Sequence, residues 1–216
     1  MRLQKLVHRC VTAALIIVAL ALLYAVAFRP WHLHQGATLA EVLLPLPGDD
    51  LVPSPKFSYT QAISIQARPD EIWPWLVQIG YRRAGWYSHD WIHRLLGIAG
   101  SLDHERRSAD RVIPELQDLQ AGDLIEIAPG MGFEVLELEA GQYLLTGTEG
   151  GSWVWVLDPV DRRTTRLIVR NRGTWEPGLV NDLLFGMPNE LGSLMMQPKT
   201  LRGIKQRVER TGDANE

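Results

Sequence analysis

Residues 11–28 read VTAALIIVALALLYAVAF, 18 residues without a charge. That is near the minimum for crossing a hydrocarbon core of roughly 30 Å as a helix. A helix is the expected form, because it satisfies its own backbone groups where lipid offers no partners. The run divides the chain into an N-terminal membrane anchor, residues 1–28, and a remainder outside the bilayer. Arg2, Lys5 and Arg9 precede it, and only Arg29 follows closely. This bias predicts a single-pass protein of the cell membrane, with a cytoplasmic N-terminus and an extracytoplasmic C-terminal domain. Tyr24 and Trp31 stand near the far end, where interfacial aromatics gather. A cleaved signal peptide is the competing reading, since Ala25-Val26-Ala27 is an A-x-A triplet. The apolar run exceeds the usual h-region of about 7–15 residues, which favours an uncleaved anchor.

The remainder has the composition of a folded domain. The chain of 216 residues is 46% hydrophobic and 22% charged, which excludes a disordered chain, a collagen-like repeat and a polytopic transporter. Cys10 is the only cysteine, so no disulfide framework or cysteine-rich zinc module is available. Without the anchor, 19 basic side chains face 25 acidic ones. An acidic domain makes no nucleic-acid partner, because phosphate neutralisation needs a basic face.

Residues 29–55 read as a proline-rich linker. Pro45, Pro47, Pro53 and Pro55, with Gly48, Asp49 and Asp50 between them, oppose helix and central strand alike. An extended, stiff tether is expected. Thr38 ahead of LAEVLL is a weaker signal for a short capped helix.

From Lys56 the pattern turns regular. Phe57, Tyr59, Gln61, Ile63 and Ile65 alternate with small residues, a period-two strand. Pro69 opens a helix whose Ile72, Trp75, Leu76 and Ile79 share one face. Gly80 ends it, and Pro74 should bend or shorten it. A second helical stretch spans 88–96. Residues 98–122 show no period. Strands are predicted over 123–128, 133–139, 143–147, 151–158 and 164–172, with glycine turns between most of them. In 151–158, Trp153, Trp155 and Leu157 take one face and Val154 and Val156 the other, so that strand should be covered on both sides. Leu191, Leu194, Met195, Leu201, Ile204 and Val208 predict one apolar stripe on a C-terminal helix. Pro198 either kinks it or marks its start, and 211–216 form a frayed tail.

This order predicts an α+β layer pair, an antiparallel sheet with helices on one side. If the sheet curves around the last helix, an elongated apolar pocket lies between them. The order also resembles the SRPBCC superfamily of START and polyketide-cyclase-like proteins. Local strings resemble a bacterial membrane-anchored branch of it: PLPGDDLVPSP (45–55), DEIWPWLVQIG (70–80), GWYSHDWI (85–92), SADRVIPELQDLQAGD (108–123) and LRGIKQRVE (201–209). The resemblance implies a helix-grip fold, a curved antiparallel sheet wrapped around a long C-terminal helix, over 56–210. It implies a cavity for a hydrophobic ligand and no particular reaction.

The candidate lining of that cavity is Trp75, Trp86, Tyr87, Asp90, Trp91, Trp153, Trp155, Arg170 and Trp175. Tryptophan suits a pocket wall and a plain core equally, so both readings stand. Arg166, Arg170 and Arg172 share a face of the last strand. Pointing inward they would hold an anionic head group; pointing outward they are a solvated face. Asp90, Asp110 and Arg111 read as structural ion pairs. His89 and His93 have zinc-protease spacing, but Asp90 replaces the glutamate that would act as base and no third ligand follows at the right distance, so no metal is expected. No nucleophile elbow, P-loop or dinucleotide loop is present, and no cofactor is expected.

The leading functional reading is a membrane-anchored binding or carrier protein for a hydrophobic or amphipathic, lipid-like molecule. A cyclase or aromatase acting in the same cavity would need an acid/base pair, and Asp90 with His89 or Tyr87 is the best available. A ligand-free scaffold for a membrane protein complex is the third reading, with a protein as partner. An enzyme is the less favoured class.

Overall fold

The computed structural model describes residues 2–213. The apolar run lies in one helical rod. Helix α1 (Arg2–Leu23) continues through a π-helical turn (Tyr24–Phe28) into α2 (Arg29–Leu33). Over His8–Leu33 the rod is long and apolar enough to cross a membrane.

The body is a six-stranded antiparallel sheet in the order β1-β6-β5-β4-β3-β2. Its strands are β1 (Phe57–Ile65), β2 (Leu124–Ala128), β3 (Met131–Glu139), β4 (Tyr143–Thr148), β5 (Gly151–Pro159) and β6 (Thr165–Gly173). Tight hairpins join β2 to β6, whereas β1 reaches β6 across the whole chain. Register shifts in the β2–β3 and β3–β4 ladders bend this half of the sheet. The concave face carries α4 (Pro69–Val77) and α8 (Gln197–Asp213), with α5 (Asp90–Leu95) in the connection that follows α4. This is a helix-grip architecture. Leu201, Ile204 and Val208 of α8 sink into the main core with Ile72, Trp75 and Leu76 of α4. Each such side chain contributes about 1.5–3 kcal/mol by leaving water. Where α8 crosses the turn before α5, Gly203 lies so close to Tyr87 that a Cβ there would sit 2.0 Å from its carbonyl oxygen.

Two sequence expectations change. The apolar stripe over 191–208 divides. Leu201, Ile204 and Val208 are buried, while Leu191 and Met195 are exposed. They belong to the first part of one continuous helical run that leads directly into α8, made of α6 (Leu179–Asn181), a π-helical turn (Asp182–Gly186), α7 (Met187–Leu191) and a second π-helical turn (Gly192–Met196). Pro198 lies inside this helical run, directly after the π-helical turn Gly192–Met196, the kind of local irregularity that accompanies a proline within a helix. Of the expected tail, 211–213 are still helical and 214–216 lie outside the described residues.

The second change is the linker. Residues 29–55 are folded against the sheet, not extended. Thr38 and Glu41 form a reciprocal capping box on α3 (Leu39–Leu43). Leu46 joins Ala62, Leu145, Val154 and Ile168 in a second apolar cluster on the convex face. Gln35 accepts from the Ala62 N–H at the β1 edge, which covers part of an otherwise open strand. The prolines forbid long elements, but they leave the segment free to follow the sheet surface as a strap.

Candidate functional site

The arginine row of β6 explains the strap. Arg166, Arg170 and Arg172 lie on the convex face, away from the hollow. Arg170 is the centre: its Nε donates to Thr60 Oγ1 at 2.9 Å, Nη1 to Leu44 O at 2.8 Å and Asp49 Oδ2 at 2.6 Å, and Nη2 to the carbonyls of Glu41 at 2.9 Å and Val42 at 2.8 Å. All five N–H donors are satisfied. Arg166 pairs with Glu41 at 2.7 Å, and Arg172 with Asp49 at 3.1 Å. Burial alone would raise the Glu41 pKa, but the Arg166 bonds and the Thr38 cap hold it below the usual range. Burial lowers the Arg170 pKa, and Asp49 opposes that shift. Arg170 therefore docks the strap and offers nothing to a ligand in the concave hollow.

The concave face gathers part of the expected lining. Trp86 stacks on Trp153 at 5.8 Å. Trp153 also meets Phe133 at 5.4 Å and Trp155 at 5.0 Å. With Leu76, Ile79, Ile125, Leu144 and Thr146 they enclose a hollow of about 10 Å³, room for one water molecule. In this conformation the tryptophans themselves fill the space expected for a guest. Trp75 and Tyr87 lie deeper, edge to face at 5.9 Å. The Tyr87 hydroxyl accepts from Gln78 Nε2 at 2.6 Å and donates to Trp75 O at 3.3 Å, and burial pushes its pKa up.

The other expected residues separate. Trp91 is 58% exposed and outside the hollow. Asp90 accepts from the Ser108 hydroxyl at 2.8 Å. Asp110 meets Arg207 at 3.6 Å, and Arg111 meets Asp103 at 2.7 Å. They form distinct contacts, Asp90 with the buried Ser108 and the other two in ion pairs nearer the surface. With the Tyr87 hydroxyl turned to Gln78 and Asp90 held by Ser108, the two do not converge as an acid/base pair. His93 is buried, and desolvation lowers its pKa against the charge of Asp90. Among the described residues no three His, Cys, Asp or Glu side chains gather as a metal set.

One end of the concave face is polar. Tyr59 donates to Gln197 Oε1 at 3.0 Å. Beside this bond Trp153 Nε1, Asn171 Oδ1 and Gln197 Nε2 are buried with no partner at hydrogen-bond geometry among the described residues. Register places Tyr59 and Trp153 on either side of Asn171. Each unsatisfied group costs about 1–3 kcal/mol.

The large opening lies elsewhere, where the helical rod meets the domain. A groove of about 450 Å³ is lined by Tyr24, Arg29, Lys56, Phe57, Trp175, Gly186, Met187, Glu190 and Leu191. Glu190 ties its walls together, accepting from the Tyr24 hydroxyl at 2.7 Å and from Arg29, and meeting His32 Nε2 at 3.0 Å. The wholly buried Gln61 donates to His32 O at 2.7 Å and Ser193 O at 2.8 Å, which locks the junction. Phe57, Trp175, Met187 and Leu191 supply apolar walls. Lys56 Nζ stands 5.8 Å over the Trp175 ring, with no carboxylate partner among the described residues. Trp175 is the one expected lining residue that reaches this groove. Sequence reading missed the rest because they come from three separate stretches of chain.

No protein-family model and no curated protein matches the chain. Solved structures of similar outline exist. A protein from Mesorhizobium loti aligns over 72% of this chain and 98% of its own, at 17% identity and a TM-score of 0.41. A polyketide-cyclase-like protein from Corynebacterium glutamicum aligns over 71% and 92%, at 13% identity and 0.40. The KanY protein aligns over 71% and 97%, at 13% identity and 0.43. At these scores the likenesses carry no information about the ligand or chemistry of this chain.

Proposed function

We propose that this chain is a membrane-anchored binding protein for an amphipathic, lipid-like molecule, and that the molecule sits in the groove at the anchor–domain junction. The observation that carries this reading is the groove itself. Its volume falls in the usual ligand-site range of about 300–1,000 Å³, and Phe57, Trp175, Met187 and Leu191 give it apolar wall beside a few charged groups. Arg29 is neutralised by Glu190, which leaves Lys56 as the cation for an anionic head group. The groove adjoins the end of the apolar rod, so a lipid in the outer leaflet is within reach without crossing water. Anchoring raises the encounter frequency in the same way that linking two modules does.

A second reading follows from the unpartnered Trp153, Asn171 and Gln197 atoms. Rotation of Trp153 would open the concave hollow and present these groups to a polar end of a guest. This is still binding, not catalysis, because no acid/base pair faces that space.

Native mass spectrometry of the detergent-extracted full chain tests the proposal. One lipid-sized adduct should survive mild activation, and it should be lost in Met187→Asp and weakened in Lys56→Glu. Repeated recovery of empty wild-type protein would sink the reading. Retention of the adduct in both groove variants, with loss in Trp153→Ala, would move the ligand to the hollow.

A further inference from the structure

The helical stretch before α8 has an unusual surface. Between Leu179 and Met196 it exposes Leu179, Val180, Leu183, Leu184, Phe185, Met187, Leu191 and Met195. Its charged side chains are Asp182 and Glu190, and both are engaged. Asp182 accepts from Trp175 Nε1 at 2.8 Å, and Glu190 holds the Tyr24, Arg29 and His32 cluster. A helix bordering water normally turns a polar face to it. An apolar surface this continuous marks an interaction site.

Its position indicates what covers it. Glu190 pins the stretch to the end of the apolar rod, so its exposed apolar side chains continue the exposed apolar surface of Val26, Phe28 and Trp31. The same end of the sheet carries Phe57, Gly151 and Gly173, aligned in register. The opposite end carries Ile65, Pro159 and Thr165, roughly 27 Å away at strand spacing. The rod, the groove and the apolar stretch therefore share one pole of the molecule.

We propose that residues Leu179–Met195 lie in the boundary between head groups and acyl chains of the bilayer that the N-terminal rod crosses, as a second membrane contact. This rests on the anchored reading above. The stretch contains no basic residue, so its contact is with the apolar layer and does not need anionic lipid. The groove then opens sideways into lipid, and Met187 and Leu191 belong to both surfaces.

Collision measurements on a nitroxide test this in neutral phosphatidylcholine vesicles. The full chain carries Cys10→Ser and a single label at residue 18, 184 or 160. Residue 18 reports the rod, residue 184 the stretch, and residue 160 the opposite pole. Residues 18 and 184 should collide with oxygen more than with a water-soluble nickel chelate. Nickel accessibility at 184 should be about fivefold or more below that at 160, and unchanged by salt. A lipid-protected residue 18 with a nickel-accessible residue 184 overturns the second contact and leaves the anchor standing. Poor collision of both reagents at 184 means protein covers the stretch, which overturns it too. Free nickel access at residue 18 overturns the anchored reading and this inference together. A label at residue 179 repeats the test on a neighbouring exposed site.

Discussion

Arg170 shows how much one side chain can organise. Its guanidinium spends all five donors on groups that come from β1 and the strap. Arg170→Lys keeps the charge but loses the planar fork, and is expected to cost about 2–3 kcal/mol in chemical unfolding of the full chain. Arg170→Met leaves the strap carbonyls unpaired and should cost about 3–5 kcal/mol. A change below about 0.5 kcal/mol for both would mean that the strap docks without it. Trp153 is the corresponding residue on the concave face. Trp153→Ala removes the ring that meets three other aromatics. It should cost about 3–5 kcal/mol and open a space that admits a small aromatic molecule, detectable by ligand-induced stabilisation. Sequence alone could not decide the direction of Arg170. Alternation fixed that Arg166, Arg170 and Arg172 share a face, but which face is inner depends on strand pairings with β1 more than a hundred residues away.

At the scale of elements, short-range patterns were legible and long-range docking was not. Period two located β1 at Phe57–Ile65, and the double-sided apolar pattern of 151–158 corresponds to burial of Trp155 and Leu157 on one face and Val154 on the other. The Thr38 cap was visible because it needs only Glu41, three residues on. The strap was hidden because its stability comes from arginines far along the chain, while its prolines speak only about local conformation. Likewise Leu191 and Met195 match the helical period of α8, yet the π-helical turn Gly192–Met196 shifts them off its buried face. The crossing of α8 over the Tyr87 turn supplies a sharp test. Gly203→Ala would put a methyl against the Tyr87 carbonyl, with Tyr87 already at a positive φ of 52°. Overpacking there should cost about 1–3 kcal/mol and lower the melting temperature, even though alanine is the better helix former. An unchanged or raised melting temperature would show that the helix shifts freely.

For the whole molecule, acid sensitivity follows from two histidines that folding desolvates, the buried His93 and the half-buried His34. Desolvation lowers the His93 and His34 pKa values below their ordinary 6.5. The unfolded chain takes up protons near pH 6.5 while the folded chain does not, so folding stability is complete above that value and declines as pH falls beneath it. Melting temperature should be flat from pH 8 to about 7 and fall toward pH 5, and the slope should shrink in a His93→Gln, His34→Gln double variant. Glu41 acts in a lower window, because its pairing with Arg166 is lost as pH drops through a pKa held below 4.5. A slope identical in the double variant would assign the acid response to other groups.

The strap also sets how the body can travel. Had residues 29–55 been a loose leash of 27 links, the domain would wander through a sphere of roughly 30 Å radius. Instead Phe28 and Phe57 are held by a clasp of arginines and a pinned glutamate, and the body keeps one attitude toward whatever holds the rod. On the binding role proposed above, a guest would have to diffuse to a stationary mouth, with no swinging arm to deliver it across open solvent.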